Sequence, residues 1–268
     1  VSKVILKDKK DLNTLISKGW SKDGYKIVGS QDEIFRDINV EVLCVKFSKV
    51  GQKTFDAYPN LKWIVCRSHG YDNVRVDLAE KYNVGIVCTN PNTLDVAKWI
   101  TDKVIGSKVI VFGGGRIGKK FCELYDGETL VIKSKTQYDH SIVKDYDTIV
   151  VTTSPTEKPI LTKELLNDFN GDVVSISRPC CIDNRALLDA IYDGKVKRAE
   201  MDMLDPKLRD ELVNTKKCNY YKHTAWGNDK TAYDDYYFES LLREIGLCLQ
   251  SKSNNVVLCR TVNPLFGD

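Results

Sequence analysis

The chain has 268 residues, 42% of them hydrophobic, with 40 Lys and Arg against 37 Asp and Glu, a formal charge of +3. That length closes one large core or two modest ones, and charges scattered in mixed runs such as Lys7-Asp-Lys-Lys-Asp11 exclude the basic stripe of a nucleic-acid binder. No apolar run reaches the length of a membrane span, the first residues become charged too soon for a signal peptide, and the nine cysteines show neither C-x-x-C nor metal-type Cys/His spacing, so a soluble cytoplasmic protein with reduced thiols, no membrane partner and no metal is expected.

From the N-terminus, short β-rich runs alternate with helical patterns: Val4–Leu6, Lys26–Val28, Val42–Phe47, Leu61–Cys66 and Val84–Cys88. This alternation predicts a parallel sheet covered by helices. Asp95–Val104 reads as a short helix leading into a second unit. There Val109–Phe112 runs straight into Gly113-Gly-Gly-Arg-Ile-Gly118, in which Gly113, Gly115 and Gly118 fit G-x-G-x-x-G. The first glycine permits a tight turn, the second lets backbone approach a pyrophosphate, and the third lets helix and strand pack closely. The helix that follows, Arg116–Tyr125, would aim the free N–H groups of its first turn, including Arg116 and Ile117, at the phosphates. Further strand runs follow at Thr129–Ile132, Thr148–Thr153, Asp172–Ser177, Val196–Met201 and Asn219–His223, and Lys230–Lys252 carries helical apolar spacing. The fold class is therefore α/β, with two doubly wound parallel-sheet domains, the second a Rossmann dinucleotide-binding domain. The first takes residues 1–97 and 227–268, the second residues 98–226.

In doubly wound sheets, ligands sit beyond the carboxyl ends of the strands. Those positions are polar here: Ser68-His69-Gly70, Lys133-Ser134-Lys135, Thr153-Ser154-Pro155, Arg178, Asp202 with Asp205, and His223. Proton exchange near neutral pH points to histidine, and there are three: His69, His140 and His223. His140 lies in a polar stretch and reads as solvent-facing. Arg178, Asp202 or Asp205, and His223 close successive strands and can converge on one edge. A carboxylate would orient the imidazole and fix its tautomer, and an arginine fork would hold a carboxylate substrate.

These motifs in this order resemble the D-isomer-specific 2-hydroxyacid dehydrogenases. The glycine loop is followed by Ser177-Arg178 with Ile182-Asp183 and Ala186-Leu-Leu188, then Ala199-Glu-Met-Asp202 with Asp205-Pro206, then His223-Thr-Ala225. Upstream, Gly70-Tyr-Asp-Asn-Val74, Val84-Gly-Ile86, Asn90-Pro91 and Val96-Ala97 resemble the substrate-domain signature of that family, so the likeness runs from Leu61 to Trp226. The resemblance implies a hydride transfer between NAD(P)H and a small 2-oxoacid or D-2-hydroxyacid. It makes Arg178 the group that orients substrate, His223 the acid and base, Asp205 its paired acid, and Asp202 a neighbour of the nicotinamide. Thr153 and Pro155 would line the cofactor, and backbone N–H groups at His69 and Gly70 would hold the substrate carboxylate. The polar His69 points to a small polar oxoacid such as glyoxylate or hydroxypyruvate, or merely caps its strand.

Four departures from the family pattern stand out. Asp205 replaces the usual Glu after a shortened spacer, and Pro179 replaces a Gly and stiffens the turn after Arg178. The strand ending at Ile132 is followed by Lys133-Ser-Lys135 with no carboxylate for the adenosine ribose, which favours NADP over NAD. The stretch from Ala97 to Lys108 is short where the family carries long helices and its dimer contact, so the chain is expected to be monomeric or to pair through another surface. The rival readings are a catalytically silent NAD(P)-binding regulator, which has no need of Arg178, an acid and His223 together, and a different enzyme on a related scaffold such as a formate dehydrogenase or adenosylhomocysteine-type hydrolase.

Overall fold

The computed structural model describes residues 2–6, 25–29, 37–46, 48–66, 70–88, 93–133, 136–225, 243 and 245–248. The chain divides into two compact units, Val1–Pro91 with Lys230–Asp268, and Asn92–Asp229. Both are built on parallel sheets, as the βα alternation requires.

The first unit holds β1 (Ser2–Leu6), β2 (Tyr25–Gly29), β3 (Val40–Val45), β4 (Trp63–Cys66) and β5 (Gly85–Cys88), with α1 (Gln52–Ala57) and α2 (Val76–Lys81). All neighbouring strands are parallel, in the order β2-β1-β3-β4-β5. Every residue of β4 is buried. A strand covered on both faces reads as a continuous apolar run rather than an alternation, which is why Trp63-Ile-Val-Cys66 stands out in the sequence. Leu43, Ile64 and Ile86 form the sheet side of the core, with Phe55 and Tyr58 packed against them.

The second unit runs α3 (Thr93–Lys103), β6 (Lys108–Phe112), α4 (Arg116–Leu124), β7 (Glu128–Ile132), β8 (Thr148–Val151), α5 (Lys163–Asp168), β9 (Gly171–Ser175), α6 (Asn184–Tyr192), β10 (Val196–Met201), α7 (Arg209–Asn214) and β11 (Cys218–Tyr220). The six strands are parallel, in the order β11-β10-β9-β8-β6-β7. Successive strand residues face opposite ways. Ile110 and Phe112 enter one core layer with Ile149, Val173, Leu165 and Leu187, while Val109 and Val111 enter the other with Val150, Val174, Ala97 and Phe121. Strand order reverses between β6 and β8, so the crevice that takes ligands in such sheets opens beyond Phe112 and Val151.

One expectation needs amendment. The run Asn219–His223 does not continue as strand: β11 ends at Tyr220, and Lys222 and His223 adopt left-handed backbone with φ of 53° and 61°. The helix expected over Lys230–Lys252 lies mostly outside the described residues, of which 245–248 are helical with Ile245 and Cys248 buried. Of the eight described cysteines, all free, six are buried, Cys122 is half-buried and Cys180 is exposed. Burial, with Glu200 nearby, pushes the Cys218 thiol up to about 12. No helix among the described residues is long and apolar enough to cross a membrane.

Candidate active site

The carboxyl ends of the second unit's strands form a row in which each segment is bonded to the next. It begins at the glycine loop after β6. Gly113 has φ +123°, and a Cβ at Gly118 would collide with the Gly113 carbonyl oxygen, so both positions require glycine. At Gly115 a Cβ would meet nothing within 4 Å, and that residue is the N-cap of α4 with no side chain capping it. The first turn of α4 thus carries no side-chain cap where it follows β6, the position at which helix N–H groups bind phosphate in such sheets. Ile117 and Gly118 are buried against the sheet.

From there the row is stitched across the sheet. The Thr152 hydroxyl after β8 donates to Gly113 O at 2.9 Å. The next residues, Thr153 to Pro155, are braced from the segment that leaves β9, where the buried Ser177 donates through Oγ to Thr153 O at 2.9 Å. Arg178 follows. It is half-buried, its backbone is extended as a residue before proline must be, and Pro179–Cys181 closes as a short 3₁₀ turn. Arg178 Nη1 lies 3.0 Å from Met203 Sδ, which places the guanidinium beside the segment that leaves β10.

That segment begins with Asp202, whose N–H donates to Ser175 O and whose side chain is 3% exposed. His223 N donates to Asp202 O at 2.7 Å, and the His223 ring Nδ1 lies 3.0 Å from Asp202 Oδ2. The other carboxylate oxygen, Oδ1, accepts from Ala225 N at 2.9 Å. The His223 side chain is 54% exposed.

The expected pairing of His223 with Asp205 is therefore corrected: the carboxylate on the ring is that of Asp202. β10 and β11 run in parallel register with Met201 opposite Tyr220, so position 202 is level with the turn that carries His223. Asp205 lies three residues farther on, and its carboxylate turns back to accept from Lys207 N at 2.9 Å. Sequence reasoning also missed Thr152 and Ser177, the two hydroxyls that bind the row together. Their position directly after buried strand runs is the signal that could have found them.

On the ribose side, Lys133 is exposed and its aliphatic stem lies against Gly114, where a Cβ would come within 3.1 Å of Lys133 Cγ. Ser134 and Lys135 lie outside the described residues, as do His69 and Trp226. Gly70 precedes a turn in the first unit that is closed by Val74 N on Tyr71 O. His140 is exposed, with its ring 5.4 Å from that of Tyr138. Among the described residues no group of three or more His, Cys, Asp or Glu side chains could hold a metal ion.

Comparison with known proteins bears on the fold. Residues 23–98 match the family model of the D-isomer specific 2-hydroxyacid dehydrogenase catalytic domain. The NADPH-dependent glyoxylate/hydroxypyruvate reductase of Sinorhizobium meliloti superposes with a TM-score of 0.74 at 16% identity, over 94% of this chain and 96% of its own. The chain has the D-2-hydroxyacid dehydrogenase fold. A second structure of the Sinorhizobium reductase, in complex with NADP and malonate, gives 0.74 at 15% identity over 93% and 94% of the two chains. The D-lactate dehydrogenase of Aquifex aeolicus, complexed with NAD and lactic acid, shares that fold at a TM-score of 0.68 and 15% identity, over 92% and 95%. No curated protein matches the chain by sequence.

Proposed function

We propose that the chain is an NAD(P)H-dependent oxidoreductase that interconverts a small 2-oxoacid and its D-2-hydroxyacid. The observation that carries this reading is the pairing of His223 with the buried Asp202 at 3.0 Å, on the sheet edge that also bears Arg178 and the glycine loop. A pure binding module has no use for a carboxylate-held, exposed imidazole on the same sheet edge as an arginine.

The residues present fit a dinucleotide. Gly113 to Gly118 and the first turn of α4 would hold its pyrophosphate, Thr153 and Pro155 would line it, and Lys133 beside Gly114 favours a ribose 2′-phosphate and hence NADP over NAD. When bound, the nicotinamide supplies the hydride that goes to the substrate carbonyl carbon. Arg178 offers a planar fork to the substrate carboxylate and carbonyl. Asp202 accepts from Nδ1 of His223 and so fixes the ring, leaving Nε2 to protonate the carbonyl oxygen in reduction and to take that proton back in oxidation. NADP or NAD binding in the structural neighbours supports the cofactor class.

The test is a panel of 2-oxoacids, with glyoxylate and hydroxypyruvate among them, followed by NADPH and NADH oxidation. Turnover of a small polar oxoacid with NADPH is expected. His223→Ala should lower kcat by about 10²–10⁴-fold with the NADPH Kd unchanged. No turnover across the panel, or wild-type turnover by His223→Ala, would falsify the assignment, and tighter binding of NADH than NADPH would reverse the cofactor preference.

A further inference from the structure

Glu200 is a buried acid that the proposed chemistry does not use. It sits next to last in β10 with 2% of its surface exposed, where an unpaired carboxylate would be strongly destabilising. Three donors meet it. Oε1 accepts from Arg198 Nη1 at 3.1 Å and from Asn219 Nδ2 at 3.0 Å, and Oε2 accepts from the Tyr221 hydroxyl at 2.6 Å. Arg198 is itself fixed by Asp172 at 3.0 Å and by the carbonyl of Lys103 at 2.7 Å. The carboxylate is thus anchored from β9, β10 and the end of α3 before it reaches Tyr221.

Tyr221 is held at every point. Its ring meets Trp99 edge-on with centroids 5.1 Å apart, and Lys103 Nζ lies 4.7 Å from its centroid. Its N–H donates to Met201 O at 2.9 Å, and its carbonyl accepts from the Thr224 hydroxyl at 2.7 Å. Burial, reinforced by the bond to Glu200, raises the Tyr221 hydroxyl above its ordinary pKa, so it stays a donor at neutral pH. Directly after it come Lys222 and His223, both left-handed and neither Gly nor Asn. Such backbone is strained and persists only where the surroundings over-determine it. Asn219 already ties β11 to Glu200 within the sheet, whereas the bond from Tyr221 reaches past the strand end to the turn itself.

We propose that Tyr221, fixed by the buried carboxylate of Glu200, is a positioning residue that holds the Lys222–His223 turn so that the imidazole meets Asp202 in one orientation. This rests on the reading of His223 as proton donor. Tyr221→Phe keeps the ring on Trp99 and removes the bond to Glu200. Expected are a roughly tenfold fall in kcat for the oxoacid found in the panel, an unchanged NADPH Kd, and exchange broadening of the His223 imidazole signals in ¹⁵N-labelled protein, assigned against His223→Ala. Asn219→Ala removes a different donor from the same carboxylate and should leave kcat and those signals as in wild type. Glu200→Gln retains an amide for the phenol and should keep kcat within about threefold. The proposal is overturned if Tyr221→Phe leaves the His223 signals unmoved, whatever kcat does, or if Asn219→Ala broadens them equally. If the wild-type chain reduces no oxoacid, the proposed activity falls. The same signals, read without substrate, then still decide whether Tyr221 positions His223.

Discussion

Asp202 serves two donors at once, and the division decides what its replacement would do. Oδ2 faces Nδ1 of His223, while Oδ1 accepts from Ala225 N, so one carboxylate fixes both the ring and the backbone two residues beyond it. In Asp202→Asn the amide oxygen can keep the Ala225 bond, but the amide nitrogen then faces Nδ1 and imposes the other tautomer. The fold should survive and the chemistry should not. A kcat lowered by about 10²-fold is expected, in the range of a mispositioned acid–base group, while Asp205→Asn should cost far less because its carboxylate only closes a local turn on Lys207 N. Steady-state kinetics on the two variants decides between the acids. Equal losses would restore Asp205 to the site.

At the scale of elements, the strands were legible because burial on both faces writes them as Val- and Ile-rich runs, and the glycine loop because φ +123° at Gly113 and close packing at Gly118 leave no alternative residue. The left-handed turn at His223 was not legible. Tyr-Tyr-Lys-His contains neither Gly nor Asn, and what holds it comes from Asp202, Met201 and Glu200 on the neighbouring strand. The opposite edge of the sheet hides a comparable device. Asp147 Oδ2 accepts from Ser107 N at 2.8 Å and Lys108 N at 3.0 Å, tying the start of β6 to the approach to β8. Those two N–H groups hold its carboxyl below the usual carboxylate value. A depressed folded-state pKa stabilises above the unfolded value, near ~3.9, and that contribution disappears as pH falls through the folded value. Asp147→Ala should therefore destabilise the fold at pH 7 by on the order of 1 kcal/mol, read as a lower Tm, because the carboxylate is exposed and two bonds are lost. Thermal melts at stepped pH should show the gap to wild type closing below pH 4. A gap that widens there would refute this role.

The whole molecule interrupts one unit with another: Asn92–Asp229 is continuous in the chain, whereas the first unit is assembled from Val1–Pro91 and Lys230–Asp268. Both core layers of the second sheet are supplied from within that insertion, from Ile100 and Phe121 on one face to Phe169, Leu187 and Leu212 on the other. The glycine loop, Thr152, Ser177, Arg178, Asp202 and His223 all lie inside it as well. The described residues of both layers belong to the insertion itself, and about 140 residues suffice to bury most of the surface a chain of that length exposes. A fragment of residues 92–229 is therefore expected to fold alone. It should melt cooperatively by far-UV circular dichroism and bind NADPH with an affinity close to that of the full chain, since every residue assigned to the dinucleotide travels with it. Cooperative melting without NADPH binding would mean that the glycine loop does not hold a dinucleotide unaided. A fragment that fails to fold would show that the insertion draws its stability from the unit it interrupts.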